Sequence, residues 1–133
     1  SEITNILLLF IQFLLVLIVG NIDFLRASLE GYDLEEIELE IIQKFAAIYG
    51  KSESEFSRLI IKTTEYIANY NFPSKNVLYG MSKAIFQKFN LSEHQEAYFK
   101  SKNVPNPLFI KRLDEVLINF IWDWDVFLKK YKL

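Results

Sequence analysis

The 133-residue chain contains no cysteine. That absence removes disulfides, thiol nucleophiles, iron–sulfur clusters and zinc–thiolate sites together, and it leaves the redox compartment open. There is one histidine, His94, and neither Glu93 nor Glu96 stands a helical turn away from it, so no metal-ligand spacing forms there. With three prolines and four glycines there is little punctuation, and no Gly-rich phosphate loop or nucleophile elbow. No repeat, heptad run or low-complexity segment is present. The sequence therefore predicts no catalytic residue, no metal ligand and no cofactor, and enzyme is the weakest function class. A catalytic constellation assembled from distant residues would not be visible at this level.

The other conspicuous absence is of charge between Ile3 and Ile22, twenty residues whose only polar side chains are Thr4, Asn5, Gln12 and Asn21. As a helix this stretch covers about 30 Å, the hydrocarbon thickness of a bilayer. Fifteen of its residues are large aliphatics or phenylalanine. Each of these favours insertion by a few tenths of a kcal/mol, whereas one Lys or Asp would cost roughly 2.5 to 3.5. The expectation is a single-pass transmembrane helix that continues to about Glu30 and stops at Gly31. Two alternatives stand beside it: the central helix of a soluble bundle, apolar all round because it is enclosed, and a cleaved signal peptide, for which no basic region precedes the apolar run. Gln12 lies mid-span, where an amide out of reach of water seeks a hydrogen bond on another helix. The flanking charges are too mixed to read an orientation.

Charge is unevenly divided over the rest. Ser1 to Phe72 carries eleven acidic and five basic residues, a balance of −6, and Pro73 to Leu133 carries six and ten, a balance of +4. Packing of the two halves against each other accounts for this without an outside partner. The lysines are scattered rather than gathered on one face, so no nucleic-acid partner is expected.

The segments after the span read as amphipathic helices. Asp33 with Glu36 predicts a helix start, Leu34, Ile37, Ile41, Phe45 and Ile48 follow at helical spacing, and Gly50 ends the segment. The acids Glu35, Glu36, Glu38 and Glu40 lack the glycine-punctuated spacing of a calcium loop and read as a solvated face. Ser52 with Glu55 predicts a second capping box and a helix that closes before Phe72-Pro73. Ser74 is the expected cap of the next helix, which carries Gly80 as a possible close crossing and stops near Asn90. Ser92 with Gln95 opens a short fifth helix. Asn106 as cap and Pro107 in the first turn begin the last helix, predicted to run to about Tyr131. On that helix Ile118, Trp122 and Val126 share a back face about 160° from Trp124, an apolar strip suited to a protein contact or a membrane interface. Coverage of both faces inside the domain is the alternative.

The predicted fold class is all-α, an N-terminal single-pass transmembrane helix (1–31) followed by a compact bundle of about five helices (32–133). The expected function is that of a structural or accessory subunit of a larger membrane protein complex. Its partners would be the other subunits and the lipid around residues 3–22, and its candidate interface Gln12, Ile118, Trp122 and Val126. A membrane-tethered module binding an apolar ligand such as a lipid or quinone is the alternative, for which a cavity with Tyr66, Tyr98 or His94 converging on it would be the sign. A soluble helical interaction protein with a buried first helix is a third. By type of part alone, an energy-converting membrane such as the mitochondrial inner membrane is a natural home.

Overall fold

The fold is built around one long helix, α1 (Glu2–Ser28), in a computed structural model that describes residues 1–28, 34–124 and 126. No proline or glycine pair interrupts α1. Glu2 in its first turn and Arg26 in its last complement the helix dipole, and the Ser1 hydroxyl accepts from the Thr4 amide at 3.1 Å. The described residues contain no strand. Five further helices follow: α2 (Leu34–Tyr49), α3 (Glu53–Asn71), α4 (Val77–Lys88), α5 (Ala97–Lys102) and α6 (Pro107–Leu117). The predicted stops and starts at Gly31 and Asp33 lie outside the described residues.

Local chemistry sets most boundaries. Gly50 takes φ 67°, and with it Lys51 N donates to Ala46 O at 2.9 Å and Gly50 N to Ala47 O at 3.1 Å, closing α2 in a left-handed cap. The capping box forms with both bonds in place: Ser52 Oγ accepts from Glu55 N, and Glu55 returns to Ser52 N. Asn106 accepts from Leu108 N and Pro107 occupies the first turn of α6, as the sequence predicts.

Three boundaries differ from expectation. The cap of α4 is Asn76, whose Oδ1 accepts from Tyr79 N, while Ser74 accepts from Asn76 N in the preceding turn. The expected fifth helix is two pieces, a 3-10 turn at Leu91–His94 and α5. Between them Gln95 folds back, its amide donating to Val104 O at 2.9 Å and its carbonyl accepting from Asn106 N at 2.6 Å.

The third difference is the largest. The last helix does not run on: α6 ends at Leu117, tightens into a 3-10 turn at Ile118–Phe120 and opens at Ile121, whose backbone is extended. Trp122 and Trp124 therefore do not point to opposite sides of a helix. Their rings lie 5.4 Å apart, 35° from parallel. Asp123 Oδ1 accepts from Val126 N at 3.2 Å, the bond of a fresh helical start.

The C-terminal half of α1 is the centre of the core. Leu15, Val16, Leu17, Ile18, Val19 and Ile22 are buried, met by Phe56, Ile60 and Ile67 of α3, Met81, Ala84 and Ile85 of α4, and Leu117 of α6, and Leu25 is buried with Trp124, Leu34 and Ile37. At about 1.5 to 3 kcal/mol for each large apolar side chain, those seven residues contribute roughly 10 to 20 kcal/mol as an upper bound. That matches or exceeds the whole net stability of an ordinary domain, about 5 to 15 kcal/mol, so α1 is integral to the bundle. Gly20 makes the closest approach: a Cβ there would fall on the Met81 sulfur, which is fully buried. Gly80 is similarly tight against the buried Asn71, at 2.8 Å from a would-be Cβ to Cγ.

The N-terminal half of α1 is different. From Glu2 to Gln12 every side chain is exposed, with Ile3 at 72%, Phe10 at 62% and Ile11 at 39%. Burial begins with Phe13, which packs edge-on against Phe89 and Phe120 at 6.2 and 6.1 Å.

Candidate functional site: an apolar groove beside the central helix

Where α1 leaves the bundle, the Tyr49 hydroxyl donates to the Ile11 carbonyl at 3.0 Å. Burial pushes that phenol up to about 12. The bond fixes the polarity of the pair: the C-terminal end of α2 lies beside the emerging part of α1, and its N-terminal end, Leu34 and Ile37, packs with Leu25. Between the two helices lies an open groove of about 900 Å³. Leu14, Leu17, Ile18 and Ile22 of α1 form one wall, and Ile37, Ile41, Phe45 and Ile48 of α2 the other. Trp124, packed with Leu25, and Trp122 beside it stand at the inner end, and Phe120, against Phe13, lines the groove nearer its mouth.

Polar groups are few and ordered. Glu36, Glu40 and Lys44 follow one another at four-residue spacing along the α2 rim. On the α1 side stands Asn21, and it is the residue that builds the inner end. Its amide nitrogen donates to Leu17 O at 2.9 Å and to Phe120 O at 3.0 Å, and its oxygen accepts from Trp122 N at 3.0 Å. One side chain thus holds both a carbonyl and an amide of the segment where the last helix breaks. At the same end of α1, burial raises the Asp23 carboxyl above its ordinary value, opposed by the Arg26 guanidinium 3.2 Å away, which also meets Glu38 at 2.6 Å.

The four residues predicted as an interface are all exposed, Gln12 on α1 and the other three around the end of α6. Gln12 is exposed on α1 just outside the bundle. Trp122, 61% exposed, lines the groove beside Trp124. Ile118 at 47% and Val126 at 59% are exposed too, on either side of the break rather than along one helical stripe. Of the polar groups proposed for a ligand cavity, Tyr98 and His94 are exposed and Tyr66 packs at a tilt against Tyr70, ring centres 4.8 Å apart, and none of them lines the groove. The sequence does not reveal Asn21 as a site residue, because its partners Phe120 and Trp122 lie about a hundred residues away; its local signal is one amide among the few polar side chains of an apolar run.

A smaller cleft of about 330 Å³ lies between α4 and α6, lined by Tyr79, Lys83, Pro105, Pro107, Ile110 and Lys111 with Asp114, whose carboxylate accepts from the buried Ser82 hydroxyl. Among the described residues no cluster of three or more His, Asp or Glu side chains is placed to hold a metal. The arrangement as a whole defines a class by architecture: an α-helical bundle threaded by a long apolar helix that projects from one end and borders a groove. The chain matches no family model, no curated protein and no solved structure.

Proposed function

We propose that this protein is a structural or accessory subunit of a larger membrane assembly, attached through α1 and docking through its helical bundle. The observation that carries this reading is the projecting part of α1. By length and composition α1 as a whole is able to cross a membrane. The part clear of the bundle, Glu2 to Gln12, is eleven residues, about 17 Å against a hydrocarbon core of about 30 Å. Its apolar side chains point in every direction, which one partner helix covers on a single side only and which lipid or several helices would cover fully.

Magnitude favours a partner in addition to lipid. Ile3, Ile6, Leu7, Leu8, Leu9, Phe10 and Ile11 together favour a bilayer interior by roughly 2 to 4 kcal/mol. Attachments of that order are marginal and reversible, and stable anchoring takes a second contact. Gln12, at the base of the projection, and the exposed Ile118 and Trp122 are the side chains we assign to that contact. An energy-converting membrane such as the mitochondrial inner membrane is the setting suggested by this type of part alone.

The test is extraction of membranes with carbonate and then mild detergent, followed by a native gel and mass spectrometry of co-migrating bands. Retention after carbonate together with a large defined complex, weakened by Gln12→Leu and Trp122→Ala, supports the reading. Release by carbonate, or a free monomer in detergent, overturns it.

A further inference from the structure

The groove is not isolated from the projecting part of α1. Leu7, Ile11, Leu14, Ile18 and Ile22 recur at spacings of four, three, four and four residues, so they form one stripe of the helix. Its first two members are exposed on the projection, and its last three line the groove. An apolar track therefore runs from the surroundings of α1 into the bundle with no polar side chain on it. Ile48, 71% exposed, stands at the outer end of the groove, one helical turn from Lys44. At the inner end are the indoles of Trp122 and Trp124. The volume, about 900 Å³, lies within the range of roughly 300 to 1,000 Å³ in which small-molecule sites fall.

We propose that the groove holds a single fatty-acyl chain, entering along the α1 stripe, with its hydrocarbon tail toward Trp122 and Trp124 and its carboxylate or phosphate head at Lys44. Continuity with the projecting stripe favours a hydrocarbon chain over an extended peptide, which needs partners for its backbone polar groups and has no use for a track leading outward. The lysine at the outer end, with Glu40 and Glu36 further in, gives the site a direction, since an anionic head is attracted at the mouth and repelled from the interior. Delivery of the chain from a bilayer rests on the membrane reading above, whereas occupancy of the groove does not.

The experiment uses the full chain and two probes bearing a diazirine at the tail end: free palmitic acid in buffer, and phosphatidylglycerol labelled on one acyl chain in phosphatidylcholine vesicles. Cross-linked peptides are mapped by mass spectrometry. Both probes are expected to label the peptides 37–41 and 120–124. Lys44→Glu and Ile48→Glu, both at exposed positions and so harmless to folding, are expected to cut that labelling about tenfold. Labelling of the groove by free acid with no flotation on vesicles would keep the site and overturn delivery from the membrane. Flotation on vesicles with labels confined to residues 2–12, or groove labels untouched by both substitutions, would overturn the site and leave the membrane reading standing.

Discussion

At the scale of single residues, Asn21 has the largest consequence for its size. Its two long-range hydrogen bonds stand in for backbone bonds that a continuous last helix would have made, which is why the chain can open at Ile121 without leaving the groups of Phe120 and Trp122 unsatisfied. Asn21→Leu keeps the volume and removes both. At about 0.5 to 1.5 kcal/mol per bond we expect a loss of roughly 1 to 3 kcal/mol in urea unfolding, with a red shift of tryptophan emission as the buried Trp124 is released to water. An unshifted spectrum would show that the segment stays docked without the amide. Two carboxylates with opposite environments provide a second check. Hydrogen bonds from the Ser52 side chain and then its backbone hold Glu55 below its ordinary value, so its contribution is present above the unfolded pKa and fades as pH falls through the folded one. Burial holds Asp23 above its ordinary value, so its contribution is present below the unfolded pKa and fades as pH rises through the folded one. Relative to the unsubstituted chain at neutral pH, Glu55→Gln should lose stability and Asp23→Asn should gain it. Both differences should vanish at a pH below the folded value of Glu55 and the unfolded value of Asp23, and urea midpoints across that range measure them.

At the scale of elements, the contact of α1 with α4 is the joint on which the core depends. Gly20 faces a fully buried Met81, so any side chain there must displace the thioether or push the helices apart. Gly20→Val should cost about 1 to 3 kcal/mol by overpacking, even after the gain in helix propensity, and pairing it with Met81→Ala should recover part of the loss. A fully additive double mutant in thermal unfolding would mean that the two residues do not share the space. This joint also marks how far the sequence could be read. Capping chemistry is local, and Ser52 with Glu55, Gly50, and Asn106 with Pro107 were legible because each acts on backbone within a few residues. The break after Leu117 was not legible. Leu117, Phe120, Ile121 and Trp124 keep helical spacing with no glycine or proline among them, and what competes with the helix is an amide on α1. Apolarity at Leu15 to Ile22 satisfied bilayer and bundle core alike, because periodicity vanishes when a helix is covered on all sides. The groove could not be read for the same reason: it exists only once α1, α2 and the broken segment are brought together.

At the scale of the molecule, α1 carries two kinds of surface on one continuous helix. Its inner half is held by the bundle, and its outer half offers seven large apolar side chains that are all exposed. A flexible tether would let those side chains collapse onto the bundle; a helix continuous with the core holds them away from it. The projection should therefore be removable from function without touching the fold. Ile6→Lys with Phe10→Lys places two charges on exposed positions, each opposing insertion by roughly 2.5 to 3.5 kcal/mol, more in sum than the seven apolar residues supply. The expected outcome is a chain with unchanged urea midpoint and tryptophan emission that no longer floats with phosphatidylcholine vesicles. Substitution at the inner half, as in Ile18→Lys, should do the reverse of a selective change, unfolding the bundle by burying an unpaired charge in a wall that both core and groove share. Loss of flotation together with loss of folding in the outer double mutant would mean that the projection is itself packed, and that α1 belongs to the core along its whole length.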